Sequence, residues 1–77
     1  MIDEIAIVSD FIKLDALLKF TGAAETGGHA KILIQDGLVK VNGEICIMRG
    51  KKLYPGDIIE ISGNTYKIAK ANLGDNI

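Results

Sequence analysis

Apolar residues recur at helical spacing in a short stretch near the start of the chain. Leu14, Leu17 and Leu18 are three or four positions apart, which places them on one side of an α-helix. The spacing predicts a first helix over residues 15–20, with Phe20 adding to the same apolar side. We therefore expect one face of this helix to pack against the rest of the protein.

A second stretch shows the same spacing and has signals at both ends. Its apolar positions are Ala30, Leu33 and Ile34. Thr26 is a residue type that accepts a backbone N–H at a helix start, and Gly37 supplies a left-handed residue at the end. These signals predict a second helix over residues 27–36, with Lys31 and Gln35 pointing away from the apolar face.

The second half of the chain consists of short, mostly apolar runs separated by turn residues. Asn42-Gly43 is the strongest turn signal, because a type I′ turn requires two residues that tolerate positive φ. Gly63-Asn64 and Pro55-Gly56 are further predicted turns. Residues 2–9 are predicted to form a strand or an extended arm. The other predicted strands cover residues 39–41, 44–47, 58–62 and 65–69.

The order of these elements indicates the fold class. An optional strand, two helices and a β-meander predict an α+β fold, with two short helices packed on a small, mainly antiparallel β-sheet. The chain has 77 residues, which suits one domain, and 48% of them are hydrophobic, as in folded proteins. We expect an N-terminal strand or arm over residues 1–10, a single domain over residues 11–70 and a C-terminal tail over residues 71–77.

The first residues lack the features of a targeting segment. Asp3 and Glu4 interrupt the first apolar run, and no basic residue precedes it, unlike in a secretory signal peptide. No apolar run approaches the ~20 residues of a membrane-spanning helix. We therefore expect a soluble, cytoplasmic protein without a membrane partner.

Positive charge is concentrated in the body of the chain. The net charge is −1, but residues 11–70 hold all nine Lys and Arg residues against six acidic ones, which gives +3. This distribution is compatible with a polyanionic partner, and ordinary solvated surface charge explains it equally well. The cations that form a site if the fold gathers them are Lys13, Lys31, Arg49, Lys51 and Lys52.

Residues for catalysis or metal binding are scarce. The single histidine, His29, has no Ser or Cys nucleophile and no suitably spaced carboxylate near it in sequence, and we expect it to line the edge of the second helix. The single cysteine, Cys46, lies in an apolar run and is expected to act as a small buried hydrophobic residue. One Cys and one His do not make a metal site. We expect a binding protein rather than an enzyme, with no cofactor and no metal.

Gly27 and Gly28 admit two interpretations. Backbone N–H groups at a helix start are free to bind an anion such as an RNA phosphate. Glycines at this place equally allow a neighbouring stretch of backbone to approach closely. The full pattern of a nucleotide-binding P-loop is absent. The sequence leaves both interpretations of the two glycines open.

Aromatic residues are few, and the chain has no tryptophan. This composition argues against a platform on which bases stack, and Tyr54, beside the basic segment of residues 49–52, is the one candidate for stacking. We expect any nucleic-acid binding to rely on phosphates and shape, which suits structured RNA.

The order and spacing of the motifs resemble a known family. The matching elements are, in chain order, Lys13-Leu14-Asp15, Leu18, Gly22, Thr26, Ala30, Leu33-Ile34, Gly37, Val39-Lys40-Val41-Asn42-Gly43 and Pro55-Gly56-Asp57. Over residues 11–62 they resemble the RNA-binding domain first described in ribosomal protein S-four. Gly27-Gly28-His29-Ala30-Lys31 and Arg49-Gly50-Lys51-Lys52 are similar to the short, free-standing branch of that family, of which YaaA and YbcJ are typical.

The resemblance implies a function and a set of binding residues. It implies two helices that pack on the sheet and present a basic face to structured RNA, with ribosomal RNA as the expected target. Many members of the family carry an Arg where this chain has Gly27, and we expect Lys31, one turn later, to reach the same groove. The implied RNA-binding residues are Lys13, Lys31, Arg49, Lys51 and Lys52, together with Gly27 and Gly28.

A different class of function is also open. The same fold can serve as a protein-interaction module that docks on a ribosomal protein or an assembly factor through its strand edges or apolar patches. The two functions differ in their sensitivity to charge. Reversing the charge of residues 49–52 abolishes binding to RNA but leaves binding through an apolar patch intact.

Overall fold

Residues 2–71, which a computed structural model describes, form two helices and seven strands. The elements are β1 (Ile2–Ile7), β2 (Ile12–Lys13), α1 (Leu14–Thr21), α2 (Gly27–Gln35), β3 (Val39–Val41), β4 (Glu44–Ile45), β5 (Lys52–Leu53), β6 (Ile58–Ile61) and β7 (Asn64–Lys70). The predicted tail over residues 71–77 lies, apart from Ala71, outside the described residues. Both predicted helices are present, each within two residues of its predicted ends.

Five of the strands form one sheet in the order β1-β7-β6-β3-β4. All neighbours in it are antiparallel except β1 and β7, which run parallel. The remaining strands, β2 and β5, form a separate antiparallel ribbon. Together with the two helices, this arrangement confirms the predicted α+β fold with a mainly antiparallel sheet.

A single hydrophobic core joins the helices to the sheet. Alternate residues of β3, β6 and β7 point into it, as expected for strands with one buried face. The apolar faces of α1 and α2 pack against these residues on the same side of the sheet. The core residues are Ile7, Leu14, Leu17, Leu18, Ala24, Ala30, Ile34, Val39, Val41, Leu53, Ile59, Ile61, Tyr66 and Ile68.

The ends of α2 form as the sequence predicts. The Oγ1 atom of Thr26 accepts a hydrogen bond from the backbone N–H of His29 at 3.0 Å. At the other end, Gly37 adopts φ 77° and its N–H donates to the carbonyl of Ile34. A residue in this left-handed conformation ends a helix because it turns the chain away from the helix axis. The chain then passes directly into β3.

One predicted turn is confirmed and one is displaced by a residue. Asn42 and Gly43 have φ values of 52° and 87°, as a type I′ turn requires. In the second turn the positive φ values belong to Ser62 and Gly63, at 53° and 79°. The prediction of Gly63-Asn64 was therefore wrong, because Asn64 already pairs with Ile61 as the first residue of β7.

Three further predictions need correction. Phe20 does not add to the apolar face of α1, since 69% of its surface is exposed. Its position follows from helix geometry: the buried residues are Leu14, Leu17 and Leu18, and Phe20 faces another direction. The strand predicted over residues 44–47 ends at Ile45, and Cys46 is half-buried against the core rather than buried.

Candidate nucleic-acid interface

The ribbon of β2 and β5 places the start of α1 next to the basic segment of residues 49–52. Lys13 lies directly opposite Lys52 in the antiparallel register. The backbone N–H of Leu14 donates to the carbonyl of Lys51 at 2.9 Å, and that of Asp15 donates to the carbonyl of Arg49 at 3.1 Å. These bonds bring Lys13 next to three cations that are more than thirty-five residues away in sequence but close to one another. We call these four cations the basic cluster: Lys13, Arg49, Lys51 and Lys52.

The basic cluster has no carboxylate partner within the described part of the chain. The ion pair found over residues 2–71 joins Lys70 to Asp10 at 3.7 Å and lies outside the cluster. All four cluster residues are exposed. Their positive charge is therefore not neutralised by salt bridges among residues 2–71.

Lys31 and the two glycines lie on α2 rather than on the ribbon or at the start of α1. Lys31 is exposed, as predicted, and α2 packs against α1. Over residues 2–71, the hydrogen bonds outside the helices and sheets do not connect α2 to residues 48–52. The structure thus gathers four of the five candidate cations directly and places Lys31 on the neighbouring helix.

The surroundings of Gly27 and Gly28 bear on their two interpretations. A Cβ atom at Gly27 would meet nothing within 4 Å, and one at Gly28 would meet only the Oγ1 of Thr26, at 3.9 Å. Close approach of neighbouring backbone therefore does not require glycine at either position. The N–H groups of both residues precede the first intrahelical bond of α2, which runs from Ala30 to Thr26.

His29 belongs to the start of α2. Its Nδ1 accepts a hydrogen bond from the backbone N–H of Glu25 at 3.1 Å, while its own N–H donates to Thr26. The arrangement resembles a capping box, except that the side chain accepts from Glu25, one residue before the N-cap Thr26. His29, which is itself half-buried, therefore has a structural role in the first turn of α2.

Sequence analysis missed an aromatic pair beside the basic cluster. The ring centroids of Phe11 and Tyr54 are 5.9 Å apart, and Nζ of Lys52 lies 4.8 Å from the centroid of the Phe11 ring. Phe11 precedes β2 and Tyr54 follows β5, so the antiparallel register places them side by side. In the sequence, Phe11 is two residues before Lys13 and far from Tyr54. The contact between the two rings can be inferred only when β2 and β5 are known to pair.

A hydrogen-bonded network holds the segment that follows β5. The Oδ2 of Asp57 accepts from the backbone N–H of Tyr54 at 2.8 Å, and its Oδ1 accepts from Nδ2 of Asn42 at 3.1 Å. The Oδ1 of Asn42 accepts from the N–H of Ile58 at 2.9 Å. The β3–β4 turn is thereby tied to the chain that carries Tyr54.

Other kinds of site receive little support within the described residues. Over residues 2–71, no group of three His, Cys, Asp or Glu side chains is placed to hold a metal ion. No helix in the same part of the chain is long and apolar enough to cross a membrane. An open cavity of about 330 Å³ lies beside β4, and its lining includes Ile45, Ile47, Met48 and Lys51.

Comparison with known proteins identifies the family. A family model described as the S4 domain matches residues 5–69. The chain belongs to the S4 domain family. The helix pair, the Asn-Gly hairpin and the Pro-Gly-Asp turn all lie within the matched residues.

Two curated relatives match this chain over most of their own length. The chain is 40% identical over 63 residues to a Bacillus subtilis (strain 168) protein named "Probable ribosome maturation protein RlbA", covering 82% of this chain and 89% of that protein. It is 33% identical over 57 residues to a protein of Escherichia coli (strain K12) named "Putative RNA-binding protein YbcJ", covering 74% of this chain and 81% of that protein. These matches confirm the resemblance to small, free-standing S4 proteins.

Proposed function

We propose that this protein is a small, non-catalytic RNA-binding protein of the cytoplasm that binds structured RNA, with ribosomal RNA as its target. The basic cluster supplies the main contacts to phosphates, and Lys31 extends the same surface along α2. Membership in the S4 domain family and the names of two relatives support this function.

The placement of Lys13 is the observation that carries the proposal. Lys13 is the N-cap residue of α1, where the helix dipole disfavours a cation, and its side chain makes no capping hydrogen bond. It also lies directly opposite Lys52, and like charges in this arrangement are destabilising. With no carboxylate of residues 2–71 in salt-bridge range, both costs remain in the free protein. A bound polyanion removes them.

Each cation of the surface has a distinct part in the proposed contact. The guanidinium of Arg49 presents a fork of donors that fits two phosphate oxygens at once. Lys13, Lys51 and Lys52 act as point charges along the backbone of the RNA. Gly27 and Gly28 offer backbone N–H groups at the positive end of α2, where a further phosphate binds without obstruction by a side chain.

A pair of matched triple variants tests this function. The first carries Arg49→Gln, Lys51→Gln and Lys52→Gln, and the control carries Lys19→Gln, Lys40→Gln and Lys67→Gln. Both lose three charges from exposed positions, so they have the same net charge. Filter retention of bacterial ribosomal RNA across a salt series measures binding, and circular dichroism confirms that each variant is folded.

The two variants are expected to behave differently. The cluster variant loses most of its affinity, because three phosphate contacts disappear, whereas the control stays close to the unchanged protein. Failure of the unchanged protein to retain RNA at low salt contradicts the proposal. Equal losses in the two variants also contradict it, since they would show that net charge alone governs binding.

A second candidate function is docking on a ribosomal protein or an assembly factor. It is favoured by the exposed side chains of Ile45, Ile47 and Met48, which line the cavity beside β4. Under this function, Ile47→Glu with Met48→Glu abolishes co-sedimentation with ribosomal particles, and the cluster variant does not. The reverse pattern favours direct binding to RNA.

A further inference from the structure

The β2–β5 ribbon has an inner and an outer face. Ile12 and Leu53 are opposite one another and turn inward, with Leu53 fully buried and Ile12 packed against the core. Because side chains alternate along a strand, the residues on either side of this pair point outward. The outer face therefore carries Phe11, Lys13, Lys52 and Tyr54.

The aromatic rings of this outer face are not equally accessible. Phe11 is half-buried, and Nζ of Lys52 lies 4.8 Å from its ring centroid, within the range of a cation–π contact. Tyr54 is tilted by 49° relative to Phe11 and is 48% exposed. The Phe11 ring is thus in contact with Lys52, whereas the Tyr54 ring presents aromatic surface to solvent.

The backbone beneath Tyr54 is held before any ligand arrives. Its N–H donates to Asp57, and Asp57 in turn accepts a hydrogen bond from the side chain of Asn42. A ring on such a fixed backbone loses less conformational freedom on binding than a ring on a loose loop. The arrangement favours contact with a flat ligand.

We propose that the exposed ring of Tyr54 stacks on an unpaired base of the RNA while Lys13 and Lys52 bind the adjoining phosphates. This inference rests on the proposed RNA-binding function and adds a preference for RNA with an unstacked base. Aromatic stacking and flanking cations are the combination by which proteins hold unpaired nucleotides. A fully paired stem offers phosphates to the same lysines but no free base to Tyr54.

Two RNA hairpins of equal length test the proposal. One stem is fully paired, and the other contains a single bulged 2-aminopurine, whose fluorescence falls when it stacks. Binding is measured for the unchanged protein and for Tyr54→Leu, Tyr54→Phe and Phe20→Leu. Phe20→Leu is the matched control because Phe20 is another exposed aromatic residue, located on α1 outside the ribbon.

The unchanged protein is expected to bind the bulged hairpin about tenfold more tightly than the paired one and to quench its fluorescence. Tyr54→Leu abolishes this preference while keeping the affinity for the paired stem, and the other two variants retain the preference. Binding to both hairpins without a preference overturns the stacking site and leaves the proposed function standing. No binding to either hairpin at low salt overturns the proposed function itself.

A measurement on the unchanged protein removes any dependence on the folding of variants. The bulged base is replaced by 5-iodouridine, which forms a covalent crosslink to an aromatic side chain in contact with it under ultraviolet light. Mass spectrometry is expected to locate the crosslink at Tyr54. A crosslink confined to other residues, or none in a hairpin that binds, overturns the proposal.

Discussion

At the scale of single residues, Asp57 joins three parts of the chain. Its two carboxylate oxygens accept hydrogen bonds from the backbone of Tyr54 and from the side chain of Asn42. Asn42 also bonds with the backbone of Ile58 through both its main chain and its side chain. The hairpin turn and the segment after β5 are therefore held in one geometry by two side chains.

Replacing Asp57 by Ala is expected to lower the free energy of unfolding by about 1–3 kcal/mol, because two donors lose their partner. Urea denaturation followed by circular dichroism measures this change. Glu44→Ala is the control, since Glu44 is an exposed carboxylate on β4 with no hydrogen bond to its side chain in residues 2–71. Equal effects of the two substitutions would show that the network contributes nothing.

The cap of α2 permits a second prediction at this scale. Thr26→Val keeps the shape of the side chain but removes the acceptor of the His29 N–H. We expect a loss of about 1 kcal/mol in the free energy of unfolding. Thr26→Ser restores the acceptor and is expected to restore most of the stability in the same urea titration. Similar instability in both variants would argue against the capping bond.

Single residues also show where sequence reasoning succeeds. The turn at Asn42-Gly43 and the end of α2 at Gly37 are set by backbone preferences of the residues themselves, so they could be predicted. The turn at Ser62-Gly63 could not be placed exactly. Gly63 tolerates positive φ in either register, and the pairing of Asn64 with Ile61 decides between them.

At the scale of elements, the pairing of β2 with β5 places Lys13 beside residues 49–52 and thereby forms the basic cluster. Each of these strands has two residues, and the partners come from distant parts of the sequence. Strands this short carry no periodic pattern, which is why the ribbon and the role of Phe11 could not be predicted. The cations themselves were evident in the sequence, where three of them are close neighbours, but only this pairing shows that Lys13 lies beside them.

The junction of β2 with α1 gives the prediction at this scale. Lys13→Asp places a favourable capping residue at the start of α1 and an opposite charge across from Lys52. The free energy of unfolding at low salt is expected to rise by about 1 kcal/mol. The affinity for ribosomal RNA is expected to fall, because one phosphate contact becomes repulsive.

The test is whether the free energy of unfolding and the affinity for RNA change in opposite directions. Lys67→Asp makes the same change in net charge at an exposed site on β7, and it is expected to leave RNA affinity nearly unchanged. Urea denaturation and filter retention are measured on both variants. The proposal that Lys13 is placed to bind RNA at a cost in stability would be contradicted in two cases. Either Lys13→Asp is less stable than the unchanged protein, or it binds RNA as tightly as Lys67→Asp does.

At the scale of the whole molecule, a net charge of −1 makes the attraction to RNA local. The protein as a whole has no long-range attraction for a polyanion, so binding depends on the few cations that touch phosphates. In the function proposed above, four of these cations form the basic cluster, and Lys31 is a fifth on α2. The number in contact determines how steeply affinity falls with salt.

Five phosphate contacts on a paired stem predict a slope of about −4.5 in a plot of log K against log salt concentration. Lys31→Gln is expected to reduce the slope to about −3.6, because each lysine contact contributes close to one unit. Lys19→Gln, in the last turn of α1, is the control and is expected to leave the slope unchanged. An unchanged slope in Lys31→Gln would confine the interface to the ribbon and the start of α1. A reduced slope would extend it across both helices, because Lys31 lies on α2 while the basic cluster adjoins α1.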